Sequence, residues 1–323
     1  MTTLLRIELE RFRCRGVLWL VAGLLLLTGS GYVLMTWGHT APASAAEVAA
    51  ATEAFRVDAE GAKQFVERCL ELQATDEGND LDCRPPDLPT LSQYIPEPPE
   101  LSWELGDAVG GMKVPVLIAA LAMGVSFVTA EFGARTMGTW LTFAPRRSRV
   151  LASKTGAAVI GVLPAALAAL AVTIGGVVLV YLVRGLDLGE ASVWTDLLRF
   201  VTHLLPAAAV AAVLGAGLAF AVRNAAAVAG IVVWWALAVE VALPQIIPAL
   251  APATLGLNLR AWLEGGAEYT VQECRPDPDV LGAQVCEDVA RTVGSAQGGL
   301  VLLLTAAVVL AIGALVFRRR AVT

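Results

Sequence analysis

The chain has 323 residues, 57% of them hydrophobic and only 16% charged, with a formal net charge of −6. A soluble globular domain carries roughly a quarter charged residues, so this composition, with a mean hydropathy of +0.68, excludes an ordinary water-soluble fold and points to a bilayer. The acidity does not indicate a nucleic-acid partner or exclude other classes, because residues 37–112 hold fifteen acids against Arg56, Lys63, Arg68 and Arg84, so it belongs to one loop.

Residues 1–15 open the chain with an amphipathic helix. Leu5, Leu9 and Phe12 recur on one side, and Arg6, Glu10 and Arg13 take the other, the spacing of a helix lying flat in a headgroup layer. A first span follows over 16–37. A span needs about 20 apolar residues to cross about 30 Å of hydrocarbon. Ala43-Ser44-Ala45 has the small-x-small form of a signal-peptidase site, but the apolar run before it exceeds an h-region of roughly 7–15 residues, so it reads as a retained span.

Residues 38–112 are too long for a connector and read as a folded loop. The stretch 46–72, rich in Ala and Glu, predicts a helix. Residues 84–99 carry Pro85, Pro86, Pro89, Pro96, Pro98 and Pro99 and predict extended chain. The region 113–243 holds spans two to five: 114–132, 155–183 with a kink at Pro164, 201–222 and 225–243. On the fourth span Ala207, Ala211, Gly215 and Ala219 form a small-residue stripe for close helix packing. The region 244–297 begins with an apolar stretch broken by Pro244, Pro248 and Pro252 and carrying Asn258 and Arg260. It reads as re-entrant, packed against protein, where broken backbone is tolerated at depth. A second outside loop follows, and 298–323 is a sixth span with a basic tail.

Arginine and lysine fix the orientation. Arg6, Arg11, Arg13 and Arg15 precede the first span; Arg135, Arg146, Arg147, Arg149 and Lys154 lie between the second and third; Arg223 lies between the fourth and fifth; Arg318, Arg319 and Arg320 follow the sixth. With six spans all four groups fall on one side, so both termini are expected in the cytoplasm. The opposite side has Arg184 and Arg199 set against Asp187, Glu190 and Asp196.

Cys69 and Cys83 fall in the first outside loop, Cys274 and Cys286 in the last, and Cys14 stands alone on the other side. Four cysteines on one face predict two disulfides in an oxidising compartment. Three connectivities are possible, and the spacing favours the local pairs Cys69–Cys83 and Cys274–Cys286. His203 has no nearby second histidine except His39, so no metal set is expected. No Gly-x-x-x-x-Gly-Lys-Ser/Thr loop occurs, so no nucleotide is expected to bind this chain by that route, and no catalytic pairing stands out in the spans.

The stretch Glu131 to Lys154, EFGARTMGTWLTFAPRRSRVLASK, leaves the second span, forms a short helix with Thr136, Trp140 and Phe143 on one face, breaks at Pro145 and re-enters through a basic cluster. Glu131, Thr136, Thr139, Pro145-Arg146-Arg147, Arg149 and Lys154 resemble the cytoplasmic loop of permease subunits of ATP-binding-cassette exporters with the type V, or ABCG-like, membrane fold. The flat N-terminal helix, the six spans and the broken segment before the sixth resemble that family too.

The resemblance implies an all-α integral membrane protein with six transmembrane helices and cytoplasmic termini, a cytoplasmic coupling helix within 131–154 and two extracellular cysteine-containing loops. It implies a plasma-membrane, bacterial protein, not itself catalytic, that exports a substrate. Glu131, Thr136, Thr139, Trp140, Pro145 and Arg147 would couple it to a separate cytoplasmic ATPase subunit, which would carry the ATP and magnesium. A second copy or a related permease would complete a dimer in membrane lipid. The second and fifth spans would line the path, which makes Phe127, Trp235 and Glu240 candidates; an intramembrane acid marks a pathway by default, although Glu240 also stands near the outer interface beside Trp234 and Trp235. The competing reading is an ATP-independent scaffold or receptor acting through the outside loops.

Overall fold

The computed structural model describes residues 2–74, 83–84, 90–134, 136, 146–276 and 284–319. In chain order, α1 (Thr2–Arg13) leads into α2 (Gly16–His39), α3 (Ala45–Gln73) and the single turn α4 (Leu91–Tyr94). Three long helices follow: α5 (Leu101–Gly133), α6 (Arg147–Arg184) and α7 (Ala191–Val222). The next span is composite, with α8 (Ala225–Trp235), a π-helical segment Ala236–Ala242 and α9 (Leu243–Ile246). A 3₁₀ segment Pro248–Ala253 and α10 (Leu255–Glu264) precede strands β1 (Gly266–Pro276) and β2 (Gln284–Gly294), and α11 (Ser295–Arg319) closes the chain. Six helices are long and apolar enough to cross a membrane, in the expected order. Alternate crossings bring α1, the α5–α6 connection and the end of α11 to one face, here the terminus face. The long connections lie on the other, the loop face.

Three helices begin well before the expected spans: α5 at Leu101 rather than Val114, α6 at Arg147 rather than Thr155, α7 at Ala191 rather than Val201. Hydropathy marks the part of a helix that meets hydrocarbon, not where its backbone bonding begins. The early turn of α5 is held by packing, since Leu101, Leu105 and Ala108 are buried against Val177 and Tyr181 of α6. The backbone stays helical through Pro164, the expected kink site.

The bundle centre is the α5–α7 contact. A Cβ at Gly124 would strike the carbonyl of Ala212, and one at Gly215 the carbonyl of Leu121, so the two backbones touch. Ala207, Ala211, Gly215 and Ala219 are all buried, as the stripe predicts. Gly313 of α11 meets the carbonyl of Gly217 in the same way. The fifth span sits at the edge: Val228 is buried, while Ile231, Val233, Trp234, Leu237 and Val241 are exposed.

The outside loops correct two expectations. Residues 84–99 are not extended throughout, because Leu91–Tyr94 forms a helical turn whose first amide, Thr90, donates to Gln93 Oε1 at 2.8 Å; Pro85, Pro86 and Pro89 lie outside the described residues. The last loop is an antiparallel hairpin in an otherwise helical chain, with Gly266 opposite Gly294 and Cys274 opposite Cys286. Its cause is an alternation of period two: Ala267 is buried and Tyr269 half-buried, while Glu268, Thr270 and Gln272 face out. Disulfides join Cys69 to Cys83 and Cys274 to Cys286, and Cys14 is free and exposed.

Candidate functional site

At the terminus face an ion cluster is buried where α1, α5 and α6 meet. Glu8 lies on the same side of α1 as Leu5 and Phe12 and is completely buried. Phe12 presses into the gap over Gly161 of α6, and Leu5 lies over Gly156. That contact drives Glu8 onto α6, where the Lys154 ammonium, also fully buried, donates to its Oε2 at 2.9 Å. The same ammonium lies 2.6 Å from Oε1 of Glu131, near the end of α5. Arg11 approaches Glu131 Oε1 at 3.3 Å and Glu8 Oε1 at 3.8 Å.

An aromatic floor lies beneath. Lys154 Nζ stands 4.8 Å from the centre of the Phe127 ring and the Arg15 guanidinium 5.3 Å from it, while Phe12 meets the same ring edge-on at 5.2 Å. Arg15 donates to the carbonyl of Ser126 at 2.9 Å. Burial lowers the Arg15 pKa from its ordinary value, and the charges of Glu131 and Glu8 work against that shift. One ammonium between two buried carboxylates thus ties three chain segments together. Removing a partner from such a set strands charge in low dielectric.

The expected coupling residues divide into four groups. Glu131 is buried in this cluster. Thr136 is exposed and its hydroxyl donates to the carbonyl of Glu131 at 3.5 Å. Arg147 reaches across the bundle, donating to the carbonyls of Phe317 at 2.7 Å and Arg318 at 3.1 Å, with its guanidinium over the Phe317 ring at 5.7 Å. It thereby satisfies carbonyls left open at the end of α11. Thr139, Trp140 and Pro145, with Phe143, lie outside the described residues. Phe132, Phe220 and Phe317 form an aromatic cluster that joins α5, α7 and α11.

Of the expected pathway residues, Trp235 and Glu240 are brought together and Phe127 stands apart from them. Phe127 is fully buried inside the subunit, as the floor of the ion cluster. Trp235 is exposed on the fifth span and donates from Nε1 to Glu240 at 3.0 Å. Glu240 also accepts the backbone N–H groups of Leu255 at 2.9 Å and Gly256 at 2.7 Å, the open first turn of α10. A carboxylate there is favoured by the helix dipole. The π-helical segment carries Glu240, placing it against α10. The broken segment is closed by Asn258, which is buried and donates to the carbonyls of Pro252 and Thr254, both at 2.7 Å.

His203 is structural. Its Nδ1 bonds the carbonyl of Arg199 at 2.7 Å, and its ring lies 4.7 Å from that of Trp262. Among the described residues no group of three or more metal-ligating side chains occurs.

Glu8, Arg11 and Arg15 are the members that pattern reading passed over. The available signal was an acid placed within the apolar face of α1.

A family model described as ABC-2 family transporter protein matches residues 2–322. The chain belongs to that family and is a multi-pass membrane protein, the permease subunit of an ABC transporter. No curated protein and no solved structure matches it.

Proposed function

We propose that this ABC-2 family permease subunit is the membrane half of an ATP-driven exporter in a bacterial plasma membrane, working as a dimer and coupled through residues 131–154 to a separate cytoplasmic ATPase that holds the ATP and magnesium. The supporting observation is the clamp at the base of that segment. Glu131 is its first residue and Lys154 its last, their charged groups 2.6 Å apart, with Glu8 of α1 on the same ammonium. A displacement of the segment between them is passed to α1, α5 and α6 together. An ATPase that closes on ATP would then bias one packing of the spans over another. The exposed apolar side of the fifth span is a surface that a second copy would cover. Export, rather than import, follows from the likeness to type V exporters.

The test is affinity purification of the intact protein from its native membrane in mild detergent, with the Thr136→Arg/Trp140→Asp double variant beside it. The expected result is a stoichiometric ATPase subunit with the wild type and its loss with the variant at unchanged elution volume and thermal stability. Reproducible absence of any ATPase from a folded wild type would defeat the proposal and leave the loop-face helix α3 and hairpin as the working parts of a scaffold or receptor.

A further inference from the structure

At the loop face, α2 and α6 end side by side, and a groove of about 450 Å³ opens between them, lined by Trp37, Thr40, Pro42, Pro98, Val183, Arg184 and Leu186. Most of that lining is apolar. Arg184 is the last residue of α6 and the only cation among the described residues of the lining. Its Nη1 donates to the carbonyl of Thr40 and its Nη2 to that of Trp37, both at 2.9 Å, and its guanidinium lies over the Trp37 ring at 4.3 Å. Nε is buried without an acceptor. A guanidinium has five N–H donors, so each terminal nitrogen keeps one N–H beyond these bonds.

No carboxylate among the described residues pairs with Arg184. Asp187 and Glu190 follow it closely in sequence, yet the ion pairs of the described residues do not include it. The carbonyl ends of α2 and α6 meet at this point, and a cation there is favoured by both helix dipoles. Held by two backbone bonds and an aromatic face, that charge is fixed in place before any ligand arrives.

The surroundings are amphipathic. Trp37 and Val183 at the rim are exposed, and toward the membrane interior the same two helices present Leu34, Leu179 and Leu182, each more than half exposed. A fixed cation at a membrane boundary, with an apolar strip below it, matches a molecule with an anionic head and hydrocarbon chains. We propose that this groove is a phospholipid-binding site in which Arg184 and Trp37 hold the phosphate head group and Leu34, Leu179 and Leu182 receive an acyl chain.

The test uses the full chain in mild detergent, washed free of endogenous lipid and incubated with phosphatidylglycerol, with a diacylglycerol of the same chains, or with glycerol phosphate; native mass spectrometry reads what is retained. Wild type is expected to retain phosphatidylglycerol and to lose diacylglycerol. Arg184→Gln is expected to lower retention on the order of tenfold, the scale of one charge-assisted hydrogen bond. That variant also uncaps α2, so Val183→Glu is the second reading: it leaves the Arg184 bonds in place, sets a carboxylate in the groove, and is expected to give the same loss at unchanged thermal stability. Equal retention of diacylglycerol, or undiminished retention of phosphatidylglycerol in Val183→Glu, overturns the proposal. Displacement of the lipid by glycerol phosphate at equal concentration overturns the lipid assignment in favour of free phosphate.

Discussion

The two ends of the bundle are held together by different physics. At the terminus face, Lys154 joins Glu8 and Glu131, so one buried ammonium links α1, α5 and α6, segments far apart in the chain. At the loop face a buried acid also exists, Glu104, but its partners are Thr36 Oγ1 at 2.8 Å and His39 Nδ1 at 2.9 Å, both from α2. The two loop-face disulfides, by contrast, are local. One disulfide closes a connector 14 residues apart and the other a hairpin 12 apart, while Arg184 and Arg199 cap the ends of α2 and α10 through backbone carbonyls. A charge cluster shared by three segments makes their positions interdependent, whereas local staples leave each appendage to stand or fall alone. Under the proposed coupling to an ATPase, the terminus face is where such interdependence is needed.

The largest effect that sharpens this contrast is expected from Lys154→Met. Both Glu8 and Glu131 would remain buried, with Arg11 as their nearest cation. Breaking a buried pair by removing one partner costs about 3–5 kcal/mol, and the loss should appear as a lower unfolding temperature in detergent. Adding Glu8→Gln and Glu131→Gln to Lys154→Met removes the stranded charges and should restore most of it. A Lys154→Met protein as stable as wild type would show that the terminus face is not held by charge.

At the loop face the corresponding change is the removal of one staple by Cys69→Ala with Cys83→Ala. Closing a loop of this length stabilises by about 3 kcal/mol in the chain-entropy model. The loss should stay local. Helix α3 packs mainly on the turn α4, through Phe55 against Tyr94 at 5.6 Å and the Tyr94 hydroxyl donating to Asp58 at 2.7 Å. Hydrogen exchange over residues 60–73 should accelerate, while α5 and α7 keep their protection. Faster exchange in the spans would mean that the two ends are coupled after all.

Several features of both ends could be read from residues alone. The six spans, their order and the two local disulfides follow from hydropathy, charge placement and cysteine spacing, because each is a property of a short window. The stripe from Ala207 to Ala219 announced its packing because small residues at four-residue intervals have one use in a span. What escaped depends on contacts between distant segments. Nothing in the sequence near Glu131 says that its partner is Lys154 rather than a neighbouring arginine, and Glu8, an acid within the apolar face of α1, shows its partner only once α1 is laid on α6. Glu240 carried the mark of a pathway acid, yet its carboxylate accepts amides of α10, a contact created by a π-helical segment that no local pattern signals. The alternation from Ala267 to Val271 is the local signal of the hairpin.

The smallest effect probes the loop face where the chain leaves the membrane. Ser44, within the small-residue triplet that resembles a cleavage site, is the N-cap of α3: its hydroxyl accepts the amide of Glu47 at 3.2 Å, and the Glu47 carboxylate accepts the Ser44 amide at 2.7 Å. The hydrogen bonds from the Ser44 side chain and then its backbone hold the Glu47 pKa below its ordinary value. A carboxylate whose pKa is depressed by folding contributes stability above its unfolded pKa, about 4.3, and loses that contribution as pH falls through the lower, folded value. Exchange at the first amides of α3 should therefore be protected at pH 7 and lose protection as pH falls through the depressed Glu47 pKa, with the buried amides of α7 around Ala208 and Ala212 as internal reference. Glutamine can still close a capping box but does not titrate, so Glu47→Gln should show the same first-turn protection at pH 7 and in acid. If the variant loses protection in acid as the wild type does, the change comes from elsewhere in the acidic connector. If only the wild type loses it, this end of α3 responds to pH by itself, as independent of the bundle as its disulfide neighbour.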